Sequence, residues 1–290
     1  MRRAALICLL VLAGSGASFW ANSGAMAAPL AKSLFGAQGA PSAQPPASYG
    51  DYAKGCLAGG AQIAADGPGW QAMRPSRNRA WGRPEAGAFI ARLGAAAQAA
   101  GWPGLLIGDV SQPRGGPMRS GHRSHQIGLD IDIWLTPAPP APLSLDARET
   151  MGAASMVATD RRHVTPVWTP AHADVLRAAA EDPAVARIFI NAAIKAEICG
   201  QGPADWMRKL RPWWGHDAHF HVRLACFGGA ACVDQAPPPP GPGCDASLAW
   251  WFTDEALHPK PKPGAPKRHE LTMADLPDQC RAVLDGAPQR

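Results

Sequence analysis

The sequence lacks several patterns that identify common kinds of functional site. None of its seven cysteines forms a C-x2-C pair, which argues against a zinc site built from cysteine. No H-E-x-x-H motif occurs, so a zinc site carried on a single helix is excluded. Ser120 and Ser124 lie beside histidines, but neither lies in a G-x-S-x-G turn, which disfavours a serine hydrolase. No basic run is interleaved with aromatic residues, so we expect no nucleic-acid partner.

The sequence also lacks a run of ~18 apolar residues that would span a membrane. A shorter apolar run, residues 4–12, follows Arg2 and Arg3, and Ala25-Met26-Ala27 has the small-x-small pattern of a cleavage site. We therefore expect residues 1–27 to be a signal peptide, with a membrane anchor as the alternative. We then expect the mature protein to be exported.

The cysteine count agrees with export, because six cysteines remain after residues 1–27. An even number in an exported chain favours three disulfides, although the spacing alone does not determine the pairing. The formal net charge of +5 is mild, and it suits a chain that works near an anionic polymer. The six cysteines are Cys56, Cys199, Cys226, Cys232, Cys244 and Cys280.

Composition and patterning predict a short leader followed by one domain. Residues 28–50 are rich in Ala, Pro, Ser and Gly and predict a flexible leader, and residues 51–290 predict a single domain. Helical and strand patterns are mixed without a regular βαβ repeat. This favours an α+β fold with a central antiparallel sheet, flanking helices and long Pro/Gly-rich loops held by disulfides. The clearest predicted elements are helices at 85–100 and 171–180, a short helix ending at Cys199, a final helix holding Cys280, and strands at 105–110, 127–135, 186–190 and 219–225.

The first segment with unusual chemistry is 120–134, in which histidines precede a strand pattern. Asp130 and Asp132 alternate there with aliphatic residues, so both carboxylates lie on one face of the strand. Two carboxylates on one face of an apolar strand are costly unless they are paired or bound to a metal. A turn at Gly128 would bring His125 alongside Asp132.

The second segment, 213–224, contains three of the nine histidines of the chain. His219 and His221 are two residues apart on a predicted strand, so both can face one site. Zinc binds imidazole nitrogen and carboxylate oxygen, and a hydrolytic zinc keeps one position for water. We therefore predict that His125, Asp132 and His221 bind zinc and that His219 carries a proton. His216 would orient the water or stabilise an oxyanion. A purely structural zinc with four protein ligands is the alternative, and it would leave a neighbouring histidine unexplained.

These strings resemble a known family of zinc enzymes. His125-x6-Asp132 and His219-x-His221 resemble the H-x6-D and H-x-H elements of the lysostaphin / D-Ala-D-Ala peptidase group. The longer strings 120–134 and 214–224 resemble the penicillin-insensitive murein endopeptidase family. The resemblance implies an exported zinc hydrolase of peptidoglycan that cleaves the D-alanyl–meso-diaminopimelyl cross-link. It uses no serine nucleophile, so β-lactams do not acylate it.

The resemblance also implies a role for each matching residue. It gives the zinc ligands as His125, Asp132 and His221, and the general base or acid as His219. It adds His122 as a further metal-site histidine and His216 as a site histidine. It implies one zinc ion and allows a second, which Asp160 and His163 would hold together with His122. The implied disulfides are Cys56–Cys280, Cys199–Cys244 and Cys226–Cys232.

Two other functions remain open at this point. A D-Ala-D-Ala carboxypeptidase would differ by closure of the pocket at one end, and a non-catalytic peptidoglycan-binding activator would differ by loss of a ligand or of the H-x-H base. The chain departs from the usual family pattern in Pro-rich inserts at 137–142 and 236–243, which affect loop shape and substrate fit. Tryptophans could line the groove or belong to the core, namely Trp81, Trp134, Trp213 and Trp214.

Overall fold

The structure is a computed structural model that describes residues 28–227, 229, 231–260, 264 and 269–289. The predicted signal peptide, residues 1–27, lies outside the described residues. Within the described chain, no helix has both the length and the apolar character needed to cross a membrane.

The chain alternates short strands with helices of very different length. The strands are β1 (Ala47–Asp51), β2 (Lys54–Ala58), β3 (Ala61–Gln62), β4 (Asp66–Gly67), β5 (Trp70–Ala72), β6 (Trp81–Gly82), β7 (Leu105–Ile107), β8 (Asp130–Trp134), β9 (Val185–Ile190), β10 (Leu210–Pro212) and β11 (His219–Leu224). The α-helices are α1 (Ala31–Phe35), α2 (Pro84–Ala99), α3 (Leu145–Thr150), α4 (Pro170–Glu181), α5 (Ala192–Gly200), α6 (Ala246–Ala249), α7 (Asp254–Leu257) and α8 (Gln279–Asp285).

A seven-stranded sheet in the order β10-β9-β11-β8-β7-β5-β4 organises the molecule. Its central pairs, β9–β11, β11–β8 and β8–β7, are antiparallel, as is β4–β5. The pairs β10–β9 and β5–β7 are parallel. The predicted α+β class with a central antiparallel sheet is therefore confirmed, and parallel pairs occur only towards the flanks of this sheet.

Helices α2 and α4 cover the apolar face of the sheet. Pro84 occupies the first turn of α2, where no backbone donor is needed, and Glu85 lies near the positive end of the helix dipole. Phe89, Ile90 and Leu93 then recur at helical spacing and are buried. The sequence prediction of helices at 85–100 and 171–180 is accurate to about one residue at each end.

Strands β8 and β11 separate apolar from polar side chains by their alternation. Ile131, Ile133, Phe220 and Val222 point into the core and are fully buried. Each such side chain contributes roughly 1.5–3 kcal/mol by burial. The opposite face of the same two strands carries the aspartates and histidines that the sequence singles out, so the core fixes where these polar groups lie.

The N-terminal segment 28–50 differs from the predicted flexible leader. It contains α1 and most of β1, and Phe35 is fully buried. The backbone N–H of Ala31 donates to the carbonyl of Leu271 at 2.8 Å. Composition does not indicate this order, because the segment is held by contacts with residues more than two hundred positions away.

Three disulfides join the loops and termini, in the pairs that the resemblance implies. They are Cys56–Cys280, Cys199–Cys244 and Cys226–Cys232. The first joins β2 to α8, and the second joins α5 to Cys244, which directly follows the Pro-rich segment 236–243. The second link therefore holds a Pro-rich segment that has little secondary structure of its own.

Replacing a core residue of the central strand tests the packing. We expect Ile131→Ala to lower the free energy of unfolding by about 2–5 kcal/mol, since it removes a fully buried side chain and leaves a cavity. Urea denaturation measures the change. The exposed Val167→Ala should shift the stability by no more than about 0.5 kcal/mol. Equal losses in the two variants would contradict the assignment of Ile131 to the core.

Lys195 gives the fold a pH dependence. Its buried Nζ donates to the carbonyls of Met207 and Pro242, at 2.6 and 2.5 Å. Burial, with a smaller effect from the charge of Arg211, lowers its pKa from 10.5 to about 7. At pH values between these two pKa values, Lys195 therefore carries a proton in the unfolded chain but not in the folded chain. The free energy of unfolding thus rises with pH across this window. We expect Lys195→Met to remove this rise, and urea denaturation from pH 7 to pH 10 measures it. An unchanged pH slope in the variant would contradict the lowered pKa.

Candidate metal centre

The antiparallel pairing of β8 with β11 brings the two sequence motifs together. Asp132 and His221 are directly opposite each other in the register, and both side chains are buried. Gly128 has a φ of 72°, which turns the chain before β8 and places His125 beside this pair. His125 itself has a φ of 66°, and its backbone N–H donates to Asp130 Oδ2 at 3.0 Å.

Four imidazoles surround the carboxylate of Asp132. Its Oδ1 lies 3.2 Å from His221 Nδ1, 3.4 Å from His125 Nε2 and 3.7 Å from His219 Nε2. Its Oδ2 lies 3.5 Å from His122 Nε2. Oδ1 is buried and accepts no hydrogen bond of good geometry from the described residues. A buried carboxylate oxygen without a hydrogen bond is costly, so this atom fits a cation.

The outer hydrogen bonds of two imidazoles support the same conclusion. His125 Nδ1 lies 2.7 Å from the carbonyl of Val110, to which it donates, so Nε2 presents its lone pair. His221 Nε2 lies 2.9 Å from Asp130 Oδ1, so Nδ1 presents its lone pair. These two lone-pair atoms lie 3.2 Å apart. A cation between them would replace their mutual repulsion by two coordinate bonds.

Asp130 lies on the same face as Asp132 but has a different role. It is fully buried and accepts from Arg223 Nε at 2.8 Å and Nη2 at 3.2 Å, in addition to His221. Burial acts to raise its pKa, but the charges of Arg223 and His221 outweigh burial and hold the pKa well below the usual range. Asp130 is therefore an ionised acceptor that orients His221.

His122 contacts the site from the side opposite His221. The described residues contain one group of three metal-ligand side chains whose ligand atoms all lie within 4.8 Å of one another, and it is His122, His125 and Asp132. His221 contacts two of its members. His125 and Asp132 thus belong to two possible three-residue sets. His221 completes one set, and His122 completes the other.

Asp109 is a site residue that the sequence analysis missed. Its Oδ2 lies 3.0 Å from His122 Nε2 and 2.9 Å from Arg79 Nη1. Burial would raise its pKa, but the hydrogen bonds of His122 and Arg79 outweigh burial and lower the pKa to about 2. The sequence feature that could have identified Asp109 is its position as a lone carboxylate near the end of the predicted strand 105–110.

His219 and His216 lie at the more accessible side of the group. Their ring centroids are 4.9 Å apart. Burial lowers the pKa of His219, against the opposing charge of Asp132. Burial, together with His221 and His219, lowers the pKa of His216 to about 4. Both imidazoles are therefore neutral at pH 7 and able to accept a proton.

Asp160 and His163 lie apart from this group. They are exposed and bind each other, with His163 Nδ1 2.6 Å from Asp160 Oδ2. Within the described ranges, neither belongs to the group of close metal-ligand side chains. The structure therefore brings together six of the predicted residues, and it leaves Asp160 and His163 as a surface pair.

A groove of about 510 Å³ lies over the metal-ligand group. His122, His216, His221, Trp213 and Trp251 are among its lining residues. Of the predicted aromatic candidates, Trp213 lines the groove and Trp134 is buried at the end of β8. The groove shares Trp213 and Trp251 with a second cavity of about 570 Å³.

The fold and the site define an α+β domain whose sheet carries a His/Asp group suited to a divalent cation. The family model described as penicillin-insensitive murein endopeptidase matches residues 48–285. The chain belongs to this family.

Curated relatives bear the same description. A penicillin-insensitive murein endopeptidase of Klebsiella pneumoniae subsp. pneumoniae is 42% identical over 242 residues, which cover 82% of this chain and 86% of the relative. One from Haemophilus influenzae is 40% identical over 246 residues, 83% of each chain. One from Salmonella newport is 41% identical over 242 residues, 82% of this chain and 86% of the relative.

Removing the orienting carboxylate tests the site without removing a ligand. We expect Asp130→Asn to weaken zinc binding about 10- to 100-fold, because His221 loses the anion that fixes its tautomer. Competition with a chromogenic chelator measures the affinity. The exposed Asp254→Asn serves as the control and should bind zinc like the wild type. Equal affinity in Asp130→Asn and the wild type would contradict this role.

Proposed function

We propose that this protein is a zinc-dependent D,D-endopeptidase that hydrolyses the D-alanyl–meso-diaminopimelyl cross-link of peptidoglycan. The observation that carries the proposal is the buried Asp132 Oδ1, which accepts no hydrogen bond from the described part of the chain and faces the lone pairs of His125 and His221. The names of the curated relatives support the substrate.

The donor set fits zinc better than a hard cation. His125 Nε2, His221 Nδ1 and a carboxylate oxygen of Asp132 would hold the ion, as two nitrogen ligands and one oxygen ligand. When bound, zinc supplies a Lewis acid that polarises a carbonyl and lowers the pKa of water. A second ion would use His122, and Asp160 and His163 would then have to move towards it.

His219 is the proposed proton carrier. It is neutral at pH 7, its side chain is partly exposed, and its Nε2 lies 3.7 Å from Asp132 Oδ1. Nε2 accepts a proton as water attacks the D-alanyl carbonyl. As the carbon–nitrogen bond breaks, the same atom returns the proton to the leaving amine of diaminopimelate.

His216 is proposed to position the attacking water. Its Nδ1 lies 3.0 Å from the carbonyl of Trp214, to which it donates, so a neutral imidazole presents a lone pair at Nε2. A lone pair accepts a hydrogen from water but cannot donate to an oxyanion. Of the two roles that the sequence leaves open, orientation of water is the one we propose.

The shape of the groove favours an endopeptidase over a carboxypeptidase. The second cavity lies beside the groove, and the two share Trp213 and Trp251 as lining residues. A cross-linked substrate needs room on both sides of the scissile bond, whereas a carboxypeptidase needs space for one terminal residue only. We further propose that residues 1–27 direct export to the periplasm and that residues 51–290, together with the packed segment 28–50, form one peptidase domain.

The activity is tested with purified protein 28–290 and cross-linked muropeptide dimers, with products followed by mass spectrometry. We expect release of monomers, loss of release with a chelator, recovery with zinc, and no inhibition by penicillin. His219→Ala should lower kcat about 10²- to 10⁴-fold while zinc stays bound, because proton transfer is lost. The exposed His258→Ala is the matched control.

Other products would point to the other candidate functions. Release of free D-alanine in place of monomers would indicate a carboxypeptidase. No turnover by the zinc-loaded protein would contradict an enzyme and favour a non-catalytic peptidoglycan-binding activator. Monomer release that survives chelation would contradict the metal.

A further inference from the structure

The sheet face that carries the metal-ligand group continues into a second set of charged side chains. His221 on β11 is opposite Asp132 on one side and Phe189 of β9 on the other. Phe189 is in turn opposite Arg211 of β10. In the neighbouring row, Arg187 of β9 is opposite Arg223. Side chains of one row point to the same face, so these arginines share the face of the site.

The three arginines differ in how their charge is balanced. Arg223 forms a two-point ion pair with Asp130. Arg187 donates to the carbonyl of Ala236 at 2.6 Å. Among the residues that the structure describes, neither Arg187 nor Arg211 forms an ion pair at contact distance, although the charge of Arg211 acts on the carboxylate of Asp245 from farther away. Two guanidinium groups on this face therefore have no anionic partner at contact distance.

The electrostatic environment of Arg187 agrees with this excess of positive charge. Burial lowers its pKa, and the neighbouring charges of Arg211 and Arg223 lower it further. Both Arg187 and Arg211 are half-buried, so their charges are only partly screened by water. A bound anion would relieve the repulsion between them.

The groove joins these arginines to the metal-ligand group. In the described chain its lining includes Arg123, Arg187, Arg211 and Arg223 together with His221, and it includes no aspartate or glutamate. A cleft lined by charges of one sign concentrates ligands of the opposite sign. Guanidinium groups are well matched to carboxylates, which they bind through paired hydrogen bonds.

We propose that Arg187 and Arg211 form a subsite that binds a free carboxylate of the stem peptide and so positions the cross-link over the metal-ligand group. This inference rests on the proposed function. Adjacent strands lie about 4.8 Å apart, so the backbone of Arg211 is roughly 10 Å from that of His221. An extended residue spans roughly 3.5 Å, which places the recognised carboxylate within a few residues of the scissile bond.

Of the carboxylates of the cross-linked substrate, two that lie close to the scissile bond are the candidates for this group. One is the free carboxylate of the diaminopimelyl residue, and the other is the terminal carboxylate of a D-alanine. Both present the same chemistry to a guanidinium pair. Amidation of one carboxylate at a time removes its charge with little change in shape, so amidated dimers distinguish the two sources.

The test measures KM and kcat of the wild type, Arg187→Gln and Arg211→Gln on the free dimer and on the two singly amidated dimers. We expect each variant to raise KM for the free dimer about 10- to 100-fold, with kcat within about threefold. The wild type should show the same rise on the dimer amidated at the recognised carboxylate. On that dimer, the KM of each variant should not exceed that of the wild type. Arg177→Gln, whose side chain pairs with Glu181 on the surface of α4, is the control.

Several outcomes would overturn the subsite. An unchanged KM in both variants, or an equal rise in KM on all three dimers, would show that the arginines do not recognise a carboxylate. Thermal unfolding and Arg187→Lys, which keeps the positive charge, separate loss of recognition from loss of structure. If the wild type cleaves no dimer, the proposed function fails. In that case, tryptophan fluorescence measures the binding of the same dimers to the wild type and to the variants, which tests the subsite independently of turnover. Equal affinity of the wild type for free and amidated dimers would count against the subsite.

Discussion

The pairing of β8 with β11 is the constraint on which the site depends. It sets Asp132 opposite His221 and Asp130 opposite Arg223, so each carboxylate meets a different partner. Because side chains alternate along a strand, a slip of either strand by one residue would turn its two polar groups into the apolar core. Burial of Phe220, Val222 and the two isoleucines of β8 on the opposite face opposes such a slip. The apolar core thus maintains the polar geometry.

Asp130 and Asp132 have different roles because their neighbouring side chains differ. Asp130 is neutralised by Arg223 and accepts from the nitrogen of His221 that points away from Asp132, so it orients this imidazole and would not contact the proposed ion. Asp132 faces imidazole nitrogens that carry lone pairs, and it remains available to a cation. Val110 does for His125 what Asp130 does for His221, whereas Asp109 binds His122 through the same Nε2 that faces Asp132. An outer layer of acceptors therefore determines where the inner nitrogens point.

The sequence predicts the parts of this arrangement that depend on local alternation. The spacing of Asp130 and Asp132, and of His219 and His221, is enough to assign one face to each strand. Other parts depend on contacts between distant segments. Asp109 meets His122 through a loop, and Phe35 is buried against the C-terminal segment, so neither local pattern nor composition reveals them. The surface pairing of Asp160 with His163 likewise depends on a loop closed by the bridge between Val157 and Val164.

A single sheet face that carries both the metal-ligand group and the arginines has a mechanical consequence. Strand spacing is fixed by backbone hydrogen bonds, so the separation of Arg211 from His221 does not depend on loop motion. A substrate held by a carboxylate at one end of this row would therefore present its scissile bond at a constant position at the other end. Such positioning reduces the entropic cost of reaching a reactive geometry. The Pro-rich segment 236–243 borders the arginine end through Ala236, so variation there would change access to the row and leave the metal ligands in place.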